Sequence, residues 1–412
     1  MTPCCRYHYF IYFCREYICT PVYKNRHDRI LHDKNTKEMR IGVITLGPEE
    51  NYGGILQAYA LQKVLKDMGH DAAVIDKDRY LHWSFFKKSR VYTKRFLKKM
   101  FIDKNTIVRL DKKNNEELEI LRTNIYPFIQ KNIKRRETDR RYSNINKDEF
   151  DAFVVGSDQV WRPRYFGKTI IDRAYLSFAK GWNVKRISYA ASFGTDEWLY
   201  NRRETKSCGK LLRRFDAVSV RESSAVELCK RHFGVEAQHL LDPTMLLDTS
   251  DYIKLFEEAG TPPSDGTLMC YFLDCNPDKE NIISHIANKF GLKAFTTNSM
   301  FDNHDLPLEQ RIQPPLENWL RAFYDAEFVI TDSFHACVFS ILFRKPFIVY
   351  GNKTRGMTRF SSLLKIFGLE NRLITNNQEV EAAIATPIDW DRVNSIKKEW
   401  QEKSFKFLKD NL

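Results

Sequence analysis

Nowhere in its 412 residues does the chain hold 18 consecutive apolar residues, so the sequence offers no membrane-spanning helix. Cysteine and histidine spacings of the zinc-binding kind are missing, and no metal centre is expected. Neither GxGxxG nor a P-loop is present to declare a nucleotide. An export signal is also lacking, because Arg6, His8 and Arg15 interrupt the apolar run near the start. Residues 1–38 show neither helical nor strand periodicity. They read as a mobile extension, or as upstream sequence before a natural start at Met39, with a short membrane-surface anchor less favoured. Acid is in deficit: 53 Asp and Glu against 66 Lys and Arg leave a net charge of +13, which favours anionic partners. Hydrophobic content of 43% with a mean hydropathy of −0.49 describes a soluble globular chain. The nine cysteines are an odd count, and Cys208, Cys229, Cys270, Cys275 and Cys337 are scattered through apparent core segments. That pattern reads as buried thiols in a reducing cytoplasm, not as a disulfide framework.

What is there begins in order at Met39. RIGVITL reads as a strand, GPEENYGG as a loop, ILQAYALQKVLKDMG as a helix with Leu61, Leu65 and Met68 on one face, and HDAAVID as a second strand. Such a βαβ unit implies a parallel sheet. FDAFVVG, RISYAASFG and DAVSV extend it into a first doubly wound α/β domain over 39–260. A turn-rich stretch at Thr261, Pro262, Pro263, Ser264 and Asp265 marks the expected boundary. The pattern then restarts with TLMCYFLD, LKAFTTN, EFVITD and PFIVYG, giving a second such domain over 261–390. Facing each other, the two domains would bring the carboxyl ends of both sheets to one cleft. Residues 391–412 read as a helix returning to the first domain.

The first domain carries a basic excursion at 79–147. From Arg79 to Met100 there are eight Lys or Arg and no acid, interleaved with Trp83, Phe85, Phe86, Tyr92 and Phe96. Cations mixed with aromatics suit an anionic membrane surface or a lipid diphosphate. A nucleic acid is not expected, since no recognition motif accompanies the patch. An ordinary solvated face is the plain alternative.

Candidate site residues cluster at strand ends. In AVSVRESSAVELC and FVITDSFHACVFSIL, Arg221 and His335 follow apolar runs and stand beside helix starts, where open α/β sheets place their ligands. Ser223 or Glu222, and Asp332 or Ser333, can cap those helices, whose free N–H groups favour phosphate or carboxylate. Arg221 offers a planar donor fork for such an anion, while Glu222 offers it a local ion pair instead. FVVGSDQVW ends a buried strand in Ser157, Asp158 and Gln159, followed by Trp161. Asp158 can take a proton from a sugar hydroxyl and Trp161 can stack on a sugar face, or the two are an Asx turn and a core tryptophan. LLDPTMLL adds Asp242, and NKTRGMTRF adds Lys353, Arg355 and Arg359.

Taken in order, NYGGILQAYAL, GSDQVW, SYAASFG, VSVRES, LLDPTMLL, TDSFHA and RGMTRFSSLL resemble the polysaccharide pyruvyl transferase family over about residues 39 to 370. That resemblance implies two Rossmann-like domains about a cleft, similar to GT-B glycosyltransferases. It also implies a cytoplasmic enzyme that moves a pyruvyl group from phosphoenolpyruvate to a sugar or lipid-linked glycan of the cell envelope, forming a ketal. Phosphoenolpyruvate is then a donor substrate, and no cofactor is implied. Arg221 and His335 match donor-site positions, with Ser333, Lys353, Arg355 and Arg359 nearby. His335 is the candidate acid or phosphate contact, and Asp158 or Asp242 the candidate base. Asn51, Tyr52, Gly53, Gly54, Gln57, Ser157, Gln159 and Trp161 are the candidate acceptor side. Many family members have NxGD where this chain has Gly54, so an acceptor-side carboxylate is missing there, for which Glu49, Glu50 or Gln57 could substitute. Two other readings share the scaffold: a GT-B glycosyltransferase using a nucleotide sugar, and a non-catalytic glycan-binding protein. Peripheral contact with the inner face of an anionic membrane is compatible with the first.

Overall fold

A computed structural model describes residues 37–48, 51–77, 80, 83–274, 276–299, 306–351 and 356–412. The extension at 1–38 therefore lies almost wholly outside the described residues, as do Glu49, Glu50, Cys275, Lys353 and Arg355.

Among the described residues, twelve strands form two sheets, both entirely parallel. The first contains β1 Arg40–Ile44, β2 Asp71–Lys77, β3 Arg135–Thr138, β4 Ala152–Val155, β5 Lys185–Ala191, β6 Ala217–Val220 and β7 Gln238–His239, in the order β3-β2-β1-β4-β5-β6-β7. The second contains β8 Leu268–Tyr271, β9 Ala294–Phe295, β10 Phe328–Thr331, β11 Phe347–Tyr350 and β12 Leu373–Ile374, ordered β12-β11-β10-β8-β9. The buried strands are short apolar runs because helices cover both faces of such sheets. In each sheet the chain reverses its direction of travel once, between β1 and β4 and between β8 and β10. Those reversals open the crevices in which α/β sheets take ligands.

The helix Tyr52–Asp67 begins earlier than its apolar spacing suggested. Asn51 caps it, its Oδ1 accepting from the Gly54 N–H at 3.0 Å, so Gly53 and Gly54 lie in the first turn and not in a loop. Tyr52 is buried with Tyr271 and Trp319 and donates to the Pro314 carbonyl at 2.7 Å. It therefore joins the two sheets and is not an acceptor contact. One hydrophobic cluster runs from Ile41 and Val43 on β1 through Tyr52 to Trp319, Phe334 and Val349 in the second half.

The terminal helix Trp390–Asn411 packs on the first sheet: Phe407 lies against Tyr189, and Gln401 donates to the Met245 carbonyl at 2.7 Å. No helix among the described residues is long and apolar enough to cross a membrane. Cys208, Cys229, Cys270 and Cys337 are buried free thiols. His239, at the end of β7, sits edge-on to Trp400 of the terminal helix, with Nε2 2.9 Å from the Arg221 carbonyl. Burial lowers its imidazole to about 4, outweighing that hydrogen bond. An unfolded histidine binds its proton near pH 6.5, so this stabilisation is complete above about 6.5 and is lost as pH falls toward 4. Replacing His239 by Gln should flatten that acid limb by up to about one proton of slope in denaturant titrations. An identical pH profile for both proteins would contradict the assignment.

Candidate active site

The site is built around Arg221, the residue after β6. Its backbone N–H donates to the Ala191 carbonyl, and its side chain is 2% exposed. One guanidinium nitrogen donates to Asp242 Oδ2 at 2.7 Å and the other to Asp158 Oδ1 at 3.2 Å, while Nε lies 3.7 Å from Glu222 Oε1. The ring of Phe334 covers the guanidinium at 4.4 Å. Burial opposes the charge, but Asp242, Asp158 and Glu222 outweigh it and raise the Arg221 pKa. Arg221 is thus a buried strut for three carboxylates, and a donor could reach it only by displacing one of them.

The carboxylates differ. Asp242 is fully enclosed, with Oδ1 accepting from the Thr244 N–H at 3.0 Å and hydroxyl at 2.7 Å. Burial alone would raise its pKa, yet His335 and Arg221 hold it well below the usual carboxylate range. So saturated an anion is a poor base, and the base role expected of it falls away. Glu222 sits at the cap position of the helix that starts at Ser223, but it caps nothing. Its carboxylate takes the Ser192 hydroxyl, and burial raises its pKa against the pull of Arg221 and that hydrogen bond. The Ser223 N–H is met at 3.1 Å by Ser362 of the second half. Asp158 is different: at 12% side-chain exposure it is the one of the three that reaches solvent.

Asp158 and His335 converge on the two glycines from opposite sheets. Asp158 follows β4 with φ +55°, and its Oδ2 lies 3.9 Å from where a Cβ on Gly54 would be. His335 follows β10, and a Cβ on Gly53 would lie 2.1 Å from its Nδ1, inside contact distance. Only glycine lets this imidazole rest against the helix start. The other ring nitrogen, Nε2, is buried without a hydrogen-bond partner, 3.6 Å from Asp242 Oδ2, which is ion-pair range but too long for a hydrogen bond. Ser333 is the cap of the His335 helix, accepting from the Ala336 N–H at 3.5 Å. Asp332 instead binds Lys279 at 2.6 Å. Arg359 flanks the far side of this group, 5.5 Å from the Phe334 ring centre. Burial and the charge of Arg221 push it down to about 10, partly offset by Asp158 and Glu222.

Several expected contacts have other work. Trp161 is wholly buried, stacked on Tyr175 at 5.2 Å with Nε1 donating to the Ala174 carbonyl, and cannot cover a sugar. Gln57 donates to Thr45 and to the Gly54 carbonyl and accepts from the Ser157 N–H at 3.0 Å, which fixes the turn after β4 and leaves nothing for an acceptor. Gln159 is held by Arg162 at 2.7 Å beneath Gly194, and Ser157 donates to the Ala190 carbonyl at 2.7 Å. Asn51 spends its side-chain oxygen on the cap. Phe334, lying against both guanidinium groups, was missed because nothing in its spacing separates it from an ordinary core residue.

Together these features define a two-sheet α/β protein whose titratable groups meet at the carboxyl ends of both sheets. The family profile described as Polysaccharide pyruvyl transferase matches residues 51–354, well over half the chain, and the chain belongs to that family. No curated protein matches it. Among solved structures it is similar to the wall teichoic acid polymerase TagF soaked with CDPG, at 12% identity over 92% of this chain and 85% of that one, TM-score 0.42. It is also similar to MnaA of S. aureus with UDP, at 14% identity over 87% and 90%, TM-score 0.42. A third is UDP-GlcNAc 2-epimerase from Neisseria meningitidis bound to UDP-GlcNAc, at 9% identity over 89% and 94%, TM-score 0.42.

The two glycines should respond differently to one added methyl group. Gly53→Ala drives a Cβ into the His335 ring and should cost about 1–3 kcal/mol in unfolding free energy. Gly54→Ala, whose nearest neighbour is 3.7 Å away, should leave the denaturation midpoint close to that of the parent. Equal effects would mean that His335 does not pack against the helix start.

Proposed function

We infer that the protein transfers a pyruvyl group from phosphoenolpyruvate to two hydroxyls of a sugar in a polysaccharide precursor, releasing phosphate. Family membership supports the class of reaction. The observation that carries the residue assignment is the convergence on Gly53 and Gly54 of an imidazole whose Nε2 has no hydrogen bond, from one sheet, and the solvent-reaching carboxylate from the other.

In this reading, protonated His335 delivers a proton to the enol methylene, making a methyl group and an oxocarbenium-like carbon. A sugar hydroxyl attacks that carbon while Asp158 takes its proton. The second hydroxyl then displaces phosphate and closes the ketal. Of the two hydroxyl protons, one balances the methyl group and the other leaves with phosphate. Arg359 and the start of the Tyr52–Asp67 helix oppose the negative charge of the departing phosphate. Asp158, whose Oδ2 lies 3.9 Å from where a Cβ on Gly54 would be, serves in this reading in place of the carboxylate that many family members carry there. Lys353 and Arg355 remain candidate donor contacts, close to Arg359 in sequence.

Asp158→Asn and His335→Asn should each lower phosphate release from phosphoenolpyruvate, with glycan present, by about two to four orders of magnitude. Calorimetric affinity for phosphoenolpyruvate should change little in both, whereas Arg359→Gln should weaken it. Phosphoenolpyruvate should also raise the melting temperature. Stabilisation by a nucleoside diphosphate alone would indicate sugar-nucleotide chemistry instead, and stabilisation by glycan alone a binding protein.

A further inference from the structure

The excursion between β2 and β3 carries a surface that the active site does not use. Its first helix, Phe85–Phe101, contains seven Lys or Arg, no acid and no buried residue. Apolar side chains are nevertheless concentrated there. Phe85 is 80% exposed, Phe86 85%, Phe96 51%, Leu97 48% and Met100 58%, followed by Phe101 at 75% and Ile102 at 79%. Those seven make up most of the eleven exposed large hydrophobics among the described residues.

Their arrangement is ordered. At about 100° per residue, Phe85, Phe96, Met100, Phe86 and Leu97 fall within an arc of roughly 120°, interrupted only by Ser89 and Thr93. Arg90, Lys94, Lys87 and Lys98 follow along one border of the stripe, and Lys99 and Lys88 lie beyond the other. The flank beyond Phe85 fixes the helix to the protein: Tyr92 donates to Asp111 at 2.7 Å, and Arg95 donates to the Ile107 carbonyl. The apolar stripe is consequently turned outward and bordered by cations on both sides.

We propose that this helix lies in the surface of a bilayer containing anionic phospholipid, with Phe85, Phe86, Phe96, Leu97 and Met100 among the upper acyl chains and the flanking Lys and Arg at the headgroups. An acid-free helix with an aromatic stripe has the composition of an in-plane membrane helix. Charge selects the partner: the helix has seven cations and no carboxylate of its own, one of them, Lys88, lying 3.8 Å from Asp111 on the next helix, and this excess of cations complements an anionic surface. The excursion leaves the sheet at the carboxyl end of β2, the edge where β4 presents Asp158. The inference rests on the helix alone and holds whatever the donor substrate is.

Co-sedimentation of the full chain with vesicles tests it. The protein should pellet with vesicles of mixed phosphatidylcholine and phosphatidylglycerol, pellet far less with phosphatidylcholine alone, and be released by salt. Phe85→Ser, Phe86→Ser and Phe96→Ser combined should lower the partition coefficient by about tenfold or more without moving the melting temperature, since these rings support no core. Lys94→Gln with Lys98→Gln should weaken binding to the anionic vesicles in particular. Binding undiminished in the triple variant, or no binding at low salt, would overturn the proposal. So would sedimentation equilibrium showing a dimer that the triple substitution dissolves while vesicles bind neither protein, since the stripe would then be covered by a second copy.

Discussion

A guanidinium withdrawn from water and held by three carboxylates is the constraint on which the rest of the site depends. Arg221 draws Asp242 from the connection after β7, Asp158 from the end of β4 and its own neighbour Glu222 into one group. Removing two charges from water is costly, and only close pairing with further hydrogen bonds offsets it. The structure supplies those bonds through Thr244 for Asp242 and Ser192 for Glu222. Asp158 is then left as the carboxylate with one oxygen on Arg221 and one turned toward the glycines. The strut therefore sorts three similar side chains into two that are enclosed and one that reaches solvent.

The second half enters this group through packing as much as charge. Phe334 lies over Arg221, and His335 beside it rests on Gly53 of the first half. Tyr52, one residue earlier, is locked between Tyr271 and Trp319. The start of a single helix thus holds the two sheets together and provides the floor of the site. Any relative movement of the halves would carry His335 away from Asp158.

Much of this was legible in the sequence, and the failures have physical reasons. Short apolar runs ending in Asp158, Arg221 and His335 announced strand ends, and strand ends in parallel sheets share one edge. What a single chain does not reveal is which polar group is already satisfied. Gln57 and Asp242 have the right chemistry but spend it in part on neighbours distant in sequence, Ser157 and Arg221, and Gln159 spends its own on Arg162. Trp161 follows the polar cluster directly, yet its ring turns into an aromatic core built by Tyr175, Phe193 and Tyr200. Glu222 looked like a local partner for Arg221, and its burial made it part of the group. Strands β3, β7 and β12 passed unread, because two to four residues carry too little alternation to detect. The excursion, by contrast, showed its charge and aromatics in sequence, and the helix geometry added their separation into an apolar stripe with cationic borders.

A double-mutant cycle between Arg221 and Asp242, read as unfolding free energy, tests the central claim most directly. Arg221→Met and Asp242→Asn should each destabilise by about 3–5 kcal/mol, because the first leaves Asp242 buried without its cation and the second takes from Arg221 its shortest carboxylate contact. The double variant should lose much less than the sum, giving a coupling of about 2 kcal/mol or more. Single losses under about 1 kcal/mol that simply add would show that Arg221 is not the strut described here.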